Sequence, residues 1–286
     1  MPKRLVKAAI IIIIIIAAVI VWREYGVYRE RRAERLQRLQ AEAQEVQVTT
    51  IEGWSAKEIA AELDKKKLFS AAAFIKAESS FNPSAYPLVK NNLPESADSL
   101  EGFLFPDTYR FNVSSAPDDV INKMLGDFTE RAAKIGVTAE RQKYSIPGYE
   151  QYPLTFYQVL TLASIVEKES GGKGPMPLDQ ERALVAGVFY NRLAKGQALQ
   201  SDATVNYATG KSSASASAAD LTINSPYNTY KYPGLPPGPI CNPSLSSIYA
   251  ALHPTKSDYY YFFHKQPSGE VVFSKTFEEH KKQMGQ

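Results

Sequence analysis

Glu167 and Glu169 close an apolar run, Leu160-Thr161-Leu162-Ala163-Ser164-Ile165-Val166-Glu167-Lys168-Glu169-Ser170, that stops at Gly171-Gly172. Val159, Leu162, Ala163 and Val166 recur at helical spacing, which predicts a helix over 155–170 with one buried face. Glu169 lies three and seven residues after Val166 and Leu162, on or beside that face. A carboxyl held against apolar surface has its charged form disfavoured and its pKa raised. If it keeps its proton near neutral pH it can serve as a general acid. Glu167, two residues earlier, points to nearly the opposite side of the same helix. The two are therefore not expected to act as acid and base on one bond. Simple solvation at a helix end is the plainer alternative for either.

Other chemistries fit less well. His253, His264 and His280 are too scattered for a metal motif, and the chain has no HExxH or CxxC. No metal or organic cofactor is implied. Cys241 and His253 could form a nucleophile–base pair, but a lone cysteine near Ile240 and Pro243 reads as a small buried hydrophobe. Gly234-Leu235-Pro236-Pro237-Gly238-Pro239 is too rich in proline to aim successive backbone N–H groups at a phosphate. What remains is a polar, aromatic loop (Tyr227, Asn228, Thr229, Tyr230, Tyr232) and the amides Asn191, Gln200, Asn206 and Asn242. Aromatic faces with amide side chains suit sugars, although tyrosine-rich loops also simply pack and hydrogen-bond through their hydroxyls.

The 286 residues suffice for one large domain or two modest ones with appendages. Net charge is +3, and residues 1–46 hold nine Lys/Arg against five Asp/Glu, which leaves the remainder about −1. That balance carries no nucleic-acid signature. A single cysteine excludes an intrachain disulfide without deciding the compartment. Lys3, Arg4 and Lys7 precede Ala8–Trp22, an uncharged stretch with seven consecutive isoleucines. Counting Leu5 and Val6, with Lys7 snorkelling, it approaches the roughly 20 residues of a membrane span. The small-x-small pattern of a cleaved signal peptide is missing before Trp22, so 1–22 is expected to be a membrane anchor with a basic flank. Six arginines follow the span and three basic residues precede it, so the positive-inside rule alone would put the rest of the chain on the cytoplasmic side.

Residues 23–45 read as a charged helical stalk. Val46–Thr50 is a strand candidate, followed by a helix over 56–66 opened by the capping-box pair Ser55 and Glu58, and a second helix over 71–77. Residues 82–99 look loop-like, and the aromatic run 101–111 is either core or groove wall. Helices are expected over 118–135, 155–170, 179–195 and 245–252. Ser212–Ala219 is a Ser/Ala patch expected in a mobile surface loop. Residues 226–243, with six prolines, form a long irregular loop of the kind that is usually functional. The end predicts a hairpin, Tyr259–Phe263 with Val271–Phe273, then a helix over 276–282. Strands and helices mix without a βαβ rhythm, so the fold class is α+β.

Taken together, these stretches resemble the YceG/MltG family of membrane-anchored endolytic murein transglycosylases. The matching blocks are Leu100–Tyr109, Leu162–Glu169, Val188–Leu193, Leu199–Val205, Ser225–Tyr230, Gly234–Ile240, Asn242-Pro243 and Ala250–Pro254. Ile51–Ala77 resembles the family's LysM-like segment, shortened here. The resemblance implies a domain order of anchor (1–22), stalk (23–45), shortened LysM-like α/β module (46–81) and mixed α+β catalytic domain (82–286). It implies an inner-membrane, single-pass protein with an extracytoplasmic catalytic domain, against the raw Lys/Arg count. The implied partners are peptidoglycan glycan strands, the cytoplasmic membrane and peptidoglycan synthases.

The implied reaction cleaves the MurNAc-β-1,4-GlcNAc bond within a strand, leaves a 1,6-anhydro-MurNAc end, and would terminate nascent strands. One carboxyl suffices for it, where ordinary glycosidases use two. That role is carried onto Glu169, whose following Ser170 matches the Glu-Ser pair of other lytic transglycosylases, with Glu167 as a supporting residue. Tyr227, Asn228 and Tyr230 are expected to line the groove, with Gln200, Asp202, Thr204 and Asn191 nearby. Two rival readings stay open. One is a muramidase using Asp202 as a second carboxylate, and the other is a non-catalytic glycan-binding scaffold.

Overall fold

A computed structural model describes residues 3–42, 44–140, 143–171, 174–211 and 215–285, and for 3–15 and 37–42 it describes the helical backbone alone. The chain divides into a unit of 1–46 with 110–113 and a unit of 47–109 with 114–286. The first holds α1 (Lys3–Glu42), one helix that covers residues of both the expected anchor and the expected helical stalk. Its apolar side chains from Ile16 to Trp22 are exposed. Among the described residues no helix is long and apolar enough to cross a membrane, and most of the isoleucine run lies outside the residues whose side chains are described.

The second unit is mixed α+β, and the helices dominate. After β1 (Glu45–Thr49), which like the later strand Thr108–Asn112 is divided between the two units, come α2 (Ala56–Lys65) and α3 (Ala71–Ser80). Ser55 and Glu58 close the expected capping box on α2, with the Ser55 N–H donating to Glu58 at 2.8 Å. Ile59, Ala60 and Leu63 then face inward, and Phe74 of α3 is fully buried. Residues 82–99 are not all loop, because Pro87 at a first helical position starts the short α4 (Pro87–Asn92). β2 (Thr108–Asn112) follows the aromatic turn, and α5 (Pro117–Lys134) packs on α3 and α4.

The centre is α6 (Phe156–Glu169), capped by Thr155 and Gln158. It is buried from Val159 to Val166 on all sides, with α7 (Leu178–Ala194), α8 (Asp202–Thr209) and α9 (Leu245–Leu252) against it. A helix that is apolar all round is a core helix. The Ser164 hydroxyl, which would be costly there without a partner, accepts from the Ile240 N–H at 2.9 Å and donates to the Thr161 carbonyl. A short ribbon of β3 (Lys143–Tyr144) and β4 (Leu154–Thr155) leads into α6. β5 (Tyr261–Lys265) and β6 (Glu270–Ser274) form the expected hairpin, with Phe262 opposite Phe273, and α10 (Phe277–Met284) packs on it.

Residues 226–243 are irregular, as expected. Asn242 fastens this loop: its side chain accepts from Gly102 and Leu104 N–H at 2.9 Å each and donates to the Trp54 carbonyl at 3.0 Å. Gly102 sits at φ +91°, and a Cβ there would lie 2.7 Å from Pro239. The Ser/Ala patch falls partly outside the described residues, and 215–219 are surface residues before a short turn at Asp220–Thr222.

Candidate active site

The end of α6 opens into a cavity of about 640 Å³. Glu169, the last helical residue, is on its wall with Arg192, Gln200, Asp202, Tyr230 and Phe262. The helix delivers Glu169 there because eight consecutive buried residues fix its axis and Ser170 leaves the helix in extended conformation.

Glu169 is partly exposed to the cavity yet surrounded by protein. Its Oε1 accepts from the Ser201 hydroxyl at 2.5 Å. Burial raises its pKa; the Ser201 bond opposes this, the Asp202 charge adds to the rise, and His264 and the Ala203 N–H oppose it. Desolvation wins, so this carboxyl holds its proton above the usual carboxylate range.

Glu167 has the contrary environment. Its Oε1 accepts from Arg182 at 2.9 Å. Its Oε2 accepts from the Ser244 N–H at 2.9 Å, the Ser244 hydroxyl at 2.6 Å and the Ser247 hydroxyl at 2.7 Å. Both side chains of the ion pair are 7% exposed. Glu167 thus pins α6 to α7 and to the start of α9, and it does not line the cavity.

The other expected residues separate into two groups. Gln200, Asp202 and Tyr230 meet at the cavity, where the Tyr230 hydroxyl donates to Asp202 at 2.6 Å. Gln200 has φ +51°, an uncommon backbone state for a non-glycine, held by its N–H to the Thr229 carbonyl at 3.1 Å. Thr204, Asn191 and Asn228 are buried in the scaffold beside it. Thr204 is 2.8 Å from the Thr229 hydroxyl. Asn191 donates to the Ser257 and Tyr259 carbonyls and accepts from the Tyr149 hydroxyl. Asn228 donates to Leu221 and Ile223 carbonyls, shaping the loop that presents Tyr230. Tyr227 is not itself in the lining of the Glu169 cavity, but its ring is 5.0 Å from that of Tyr207, which is.

Three groups escaped the sequence reading. Ser201 bonds the acid directly. Arg192 is buried at the cavity wall, donating to the Tyr260 carbonyl at 2.7 Å and the Leu199 carbonyl at 2.5 Å. Burial lowers its pKa, while Tyr261 and Glu169 support its charge. Glu181, with no exposed surface, accepts from the Gly171 N–H at 2.7 Å and lies 2.9 Å from His264 Nε2, bracing the exit of α6. Ser201 meets Glu169 across 32 residues and Arg192 meets Tyr260 across 68, which no local window shows, and the nearer bonds to Leu199 and Gly171 run from a helix to a neighbouring loop. Among the described residues, no cluster of His, Cys, Asp and Glu is arranged to hold a metal ion.

A partly exposed acid with a raised pKa, one short hydrogen bond and a flanking arginine can deliver a proton and then take one back. Residues 15–286 match the family model described as YceG-like family. A protein of Bacillus subtilis (strain 168) named endolytic murein transglycosylase is 44% identical over 184 residues, which are 64% of this chain and 46% of that protein. One of the same name from Streptococcus pneumoniae serotype 2 is 35% identical over 252 residues, 82% of this chain and 43% of that protein. The chain therefore spans under half the length of these curated relatives. A crystal structure of a YceG-like protein from Listeria monocytogenes superposes with a TM-score of 0.70 at 35% identity, covering 83% of this chain and 75% of that one.

Proposed function

This chain belongs to the YceG-like family, and from that footing we propose that it is an endolytic murein lytic transglycosylase with Glu169 as its acid and base. The observation that carries the proposal is the raised pKa of Glu169 at the end of a buried helix, facing a cavity. Glu169 protonates the glycosidic oxygen as the C1–O bond of the muramyl residue breaks, releasing the GlcNAc hydroxyl. The carboxylate so formed takes the proton of the muramyl C6 hydroxyl as that oxygen bonds to C1. The 1,6-anhydro ring closes, Glu169 is protonated again, and no water is consumed. The substrate's N-acetyl group assists at C1, so a second carboxylate is not needed. Arg192 steadies the transient carboxylate, Gln200, Asp202 and Tyr230 contact the glycan, and Asn191, Thr204 and Asn228 hold those contacts in place. Tyr227 extends the aromatic wall.

The proposal includes an anchor at 1–22, supported by the isoleucine run and the exposed apolar side chains up to Trp22, then a stalk at 23–45, a shortened LysM-like module at 46–81 and a catalytic domain at 82–286. The catalytic domain then works on the outer face of the cytoplasmic membrane, on nascent strands beside their synthases. A second reading, hydrolysis, has one observation in its favour. Asp202 lines the same cavity and its charge acts on Glu169.

Mass spectrometry of muropeptides after digestion of purified glycan strands separates the two. New ends lighter by one water, absent with Glu169→Gln, are expected. Ends that retain the water would replace the lyase reading with the hydrolase, and unchanged cleavage by Glu169→Gln would remove Glu169 from the chemistry.

A further inference from the structure

The cavity extends beyond the acid, and α8 marks its length. Asp202, at the first turn, stands by Glu169, and Asn206, Tyr207 and Gly210 continue along the same wall at helical spacing. The helix rises about 10 Å from Asp202 to Thr209 at 1.5 Å per residue, and Lys211 lies two residues beyond its end. The wall is completed by Ser55, Lys57 and Glu58 of the α2 start and by Lys168, the residue before the acid on α6. Tyr207 ties the two sides, its hydroxyl 3.5 Å from Glu101, whose carboxylate accepts from the Ala56 N–H at 3.0 Å.

The charges along this wall do not balance within the protein. Lys211 pairs with Asp220 at 2.7 Å. Glu58 is engaged by the Ser55 N–H and hydroxyl, both at 2.8 Å. Among the described residues neither Lys57 nor Lys168 has a carboxylate at ion-pairing distance. The Lys168 ammonium is nevertheless fixed, donating to the Gly53 carbonyl at 3.1 Å. One ammonium thus comes from the α2 segment and one from the helix that carries the acid, both facing the same cavity as Glu169.

We propose that Lys57 and Lys168 form an anion subsite of the groove that receives the carboxylates of a muramyl stem peptide. The inference rests on the transglycosylase reading of the cavity and adds to it what part of the strand is read. In a peptide-bearing strand each muramyl lactyl carboxyl is tied up in an amide, so the sugars are neutral and the negative charge is on the attached peptides. A strand seated with its scissile bond at Glu169 can place a stem beside the two lysines. The α2 segment then acts as a wall of the catalytic groove, and bare glycan lacks a contact that peptide-bearing strands make.

The test compares kcat/KM of the full chain on peptide-bearing strands, on the same strands stripped by an amidase with the freed lactyl carboxylates then converted to amides, and on peptide-bearing strands whose carboxylates have been converted to amides. Two exposed charge contacts give the unmodified strands an advantage on the order of tenfold. Amidation, high salt and the double variant Lys57→Gln, Lys168→Gln each bring that ratio close to one. Equal cleavage of stripped and intact strands by the unaltered protein, a preference that survives amidation, or a double variant that keeps the full preference would each overturn the proposal. Binding of fluorescent peptide-bearing strands to the Glu169→Gln chain reads the subsite without turnover. Charge-dependent binding there, with no cleavage by the unaltered protein, would sink the transglycosylase reading and keep the subsite. Cleavage without charge-dependent binding would do the reverse.

Discussion

Glu167→Gln and Glu169→Gln should have opposite consequences although the residues are two apart. Replacing Glu167 leaves the Arg182 guanidinium buried without its 2.9 Å partner. Breaking one side of a buried ion pair costs about 3–5 kcal/mol. Glu52 and Asp179, each 3.8 Å from Arg182, offset part of this, and glutamine can still accept from Ser244 and Ser247. The loss is therefore set at the lower end, about 3 kcal/mol, against total stabilities of roughly 5–15. With a urea m-value of about 2–3 kcal/mol/M, the midpoint falls by about 1–1.5 M. Replacing Glu169 removes a carboxyl whose folded-state pKa is raised. Such a group stays protonated in the folded chain while the unfolded chain releases its proton. Stability is then lost as pH rises above the unfolded value of about 4.5. Glu169→Gln is therefore as stable as the parent at low pH and more stable as pH rises, while cleavage falls by about 10²–10⁴. Urea titrations across pH 4–9, with muropeptide release measured on the same samples, decide the matter. A Glu167→Gln chain of parental stability that has lost cleavage, beside a Glu169→Gln chain that cleaves, would refute the division of roles.

Ser201→Ala removes the bond that opposes the rise in the Glu169 pKa. The alkaline limb of the pH profile of kcat/KM should move up, whereas Asp202→Asn, which deletes a charge that raises it, should move the limb down; shifts of the same sign would contradict the assignment. Burial raises the Glu101 pKa to about 8 from 4.5. Stability should thus decline by up to about 1.4 kcal/mol per pH unit between those values, and Glu101→Gln should flatten that slope in urea titrations. Parallel curves would show Glu101 ionised throughout. Gly102→Ala must accept φ +91° and a Cβ 2.7 Å from Pro239, so its Tm should fall by several degrees, reflecting about 2 kcal/mol or more. An unchanged Tm would mean that the proline loop yields without cost.

The capping box at Ser55, the proline-bound loop 226–243 and the terminal hairpin were legible because each is encoded within a few neighbouring residues. The missed α8 had weaker cues: two turns, with Thr, Asn and Tyr of modest helix propensity, held by packing on α6. Asn191, Thr204 and Asn228 look like groove residues in sequence because polar side chains suit sugars equally well whether they touch ligand or scaffold. The partners of Asn191 are 42 to 68 residues away and Thr204 meets Thr229 across 25, invisible in any local window, whereas Asn228 closes a local turn onto Leu221 and Ile223.

By itself the sequence determined that an apolar helix ends at two glutamates, that the chain is α+β, and that its ordered blocks match one family. Periodicity, capping and turn chemistry are local, so they survive in one dimension. The tertiary structure decided which glutamate is sealed in an ion pair and which faces the cavity. Arg182, Ser244 and Ser247 converge on Glu167, while Ser201 and the cavity meet Glu169. It also brought Lys57 of α2 into the wall of the same groove as Lys168. Burial and charge act through space, and a fold can give two residues on one helix turn opposite surroundings.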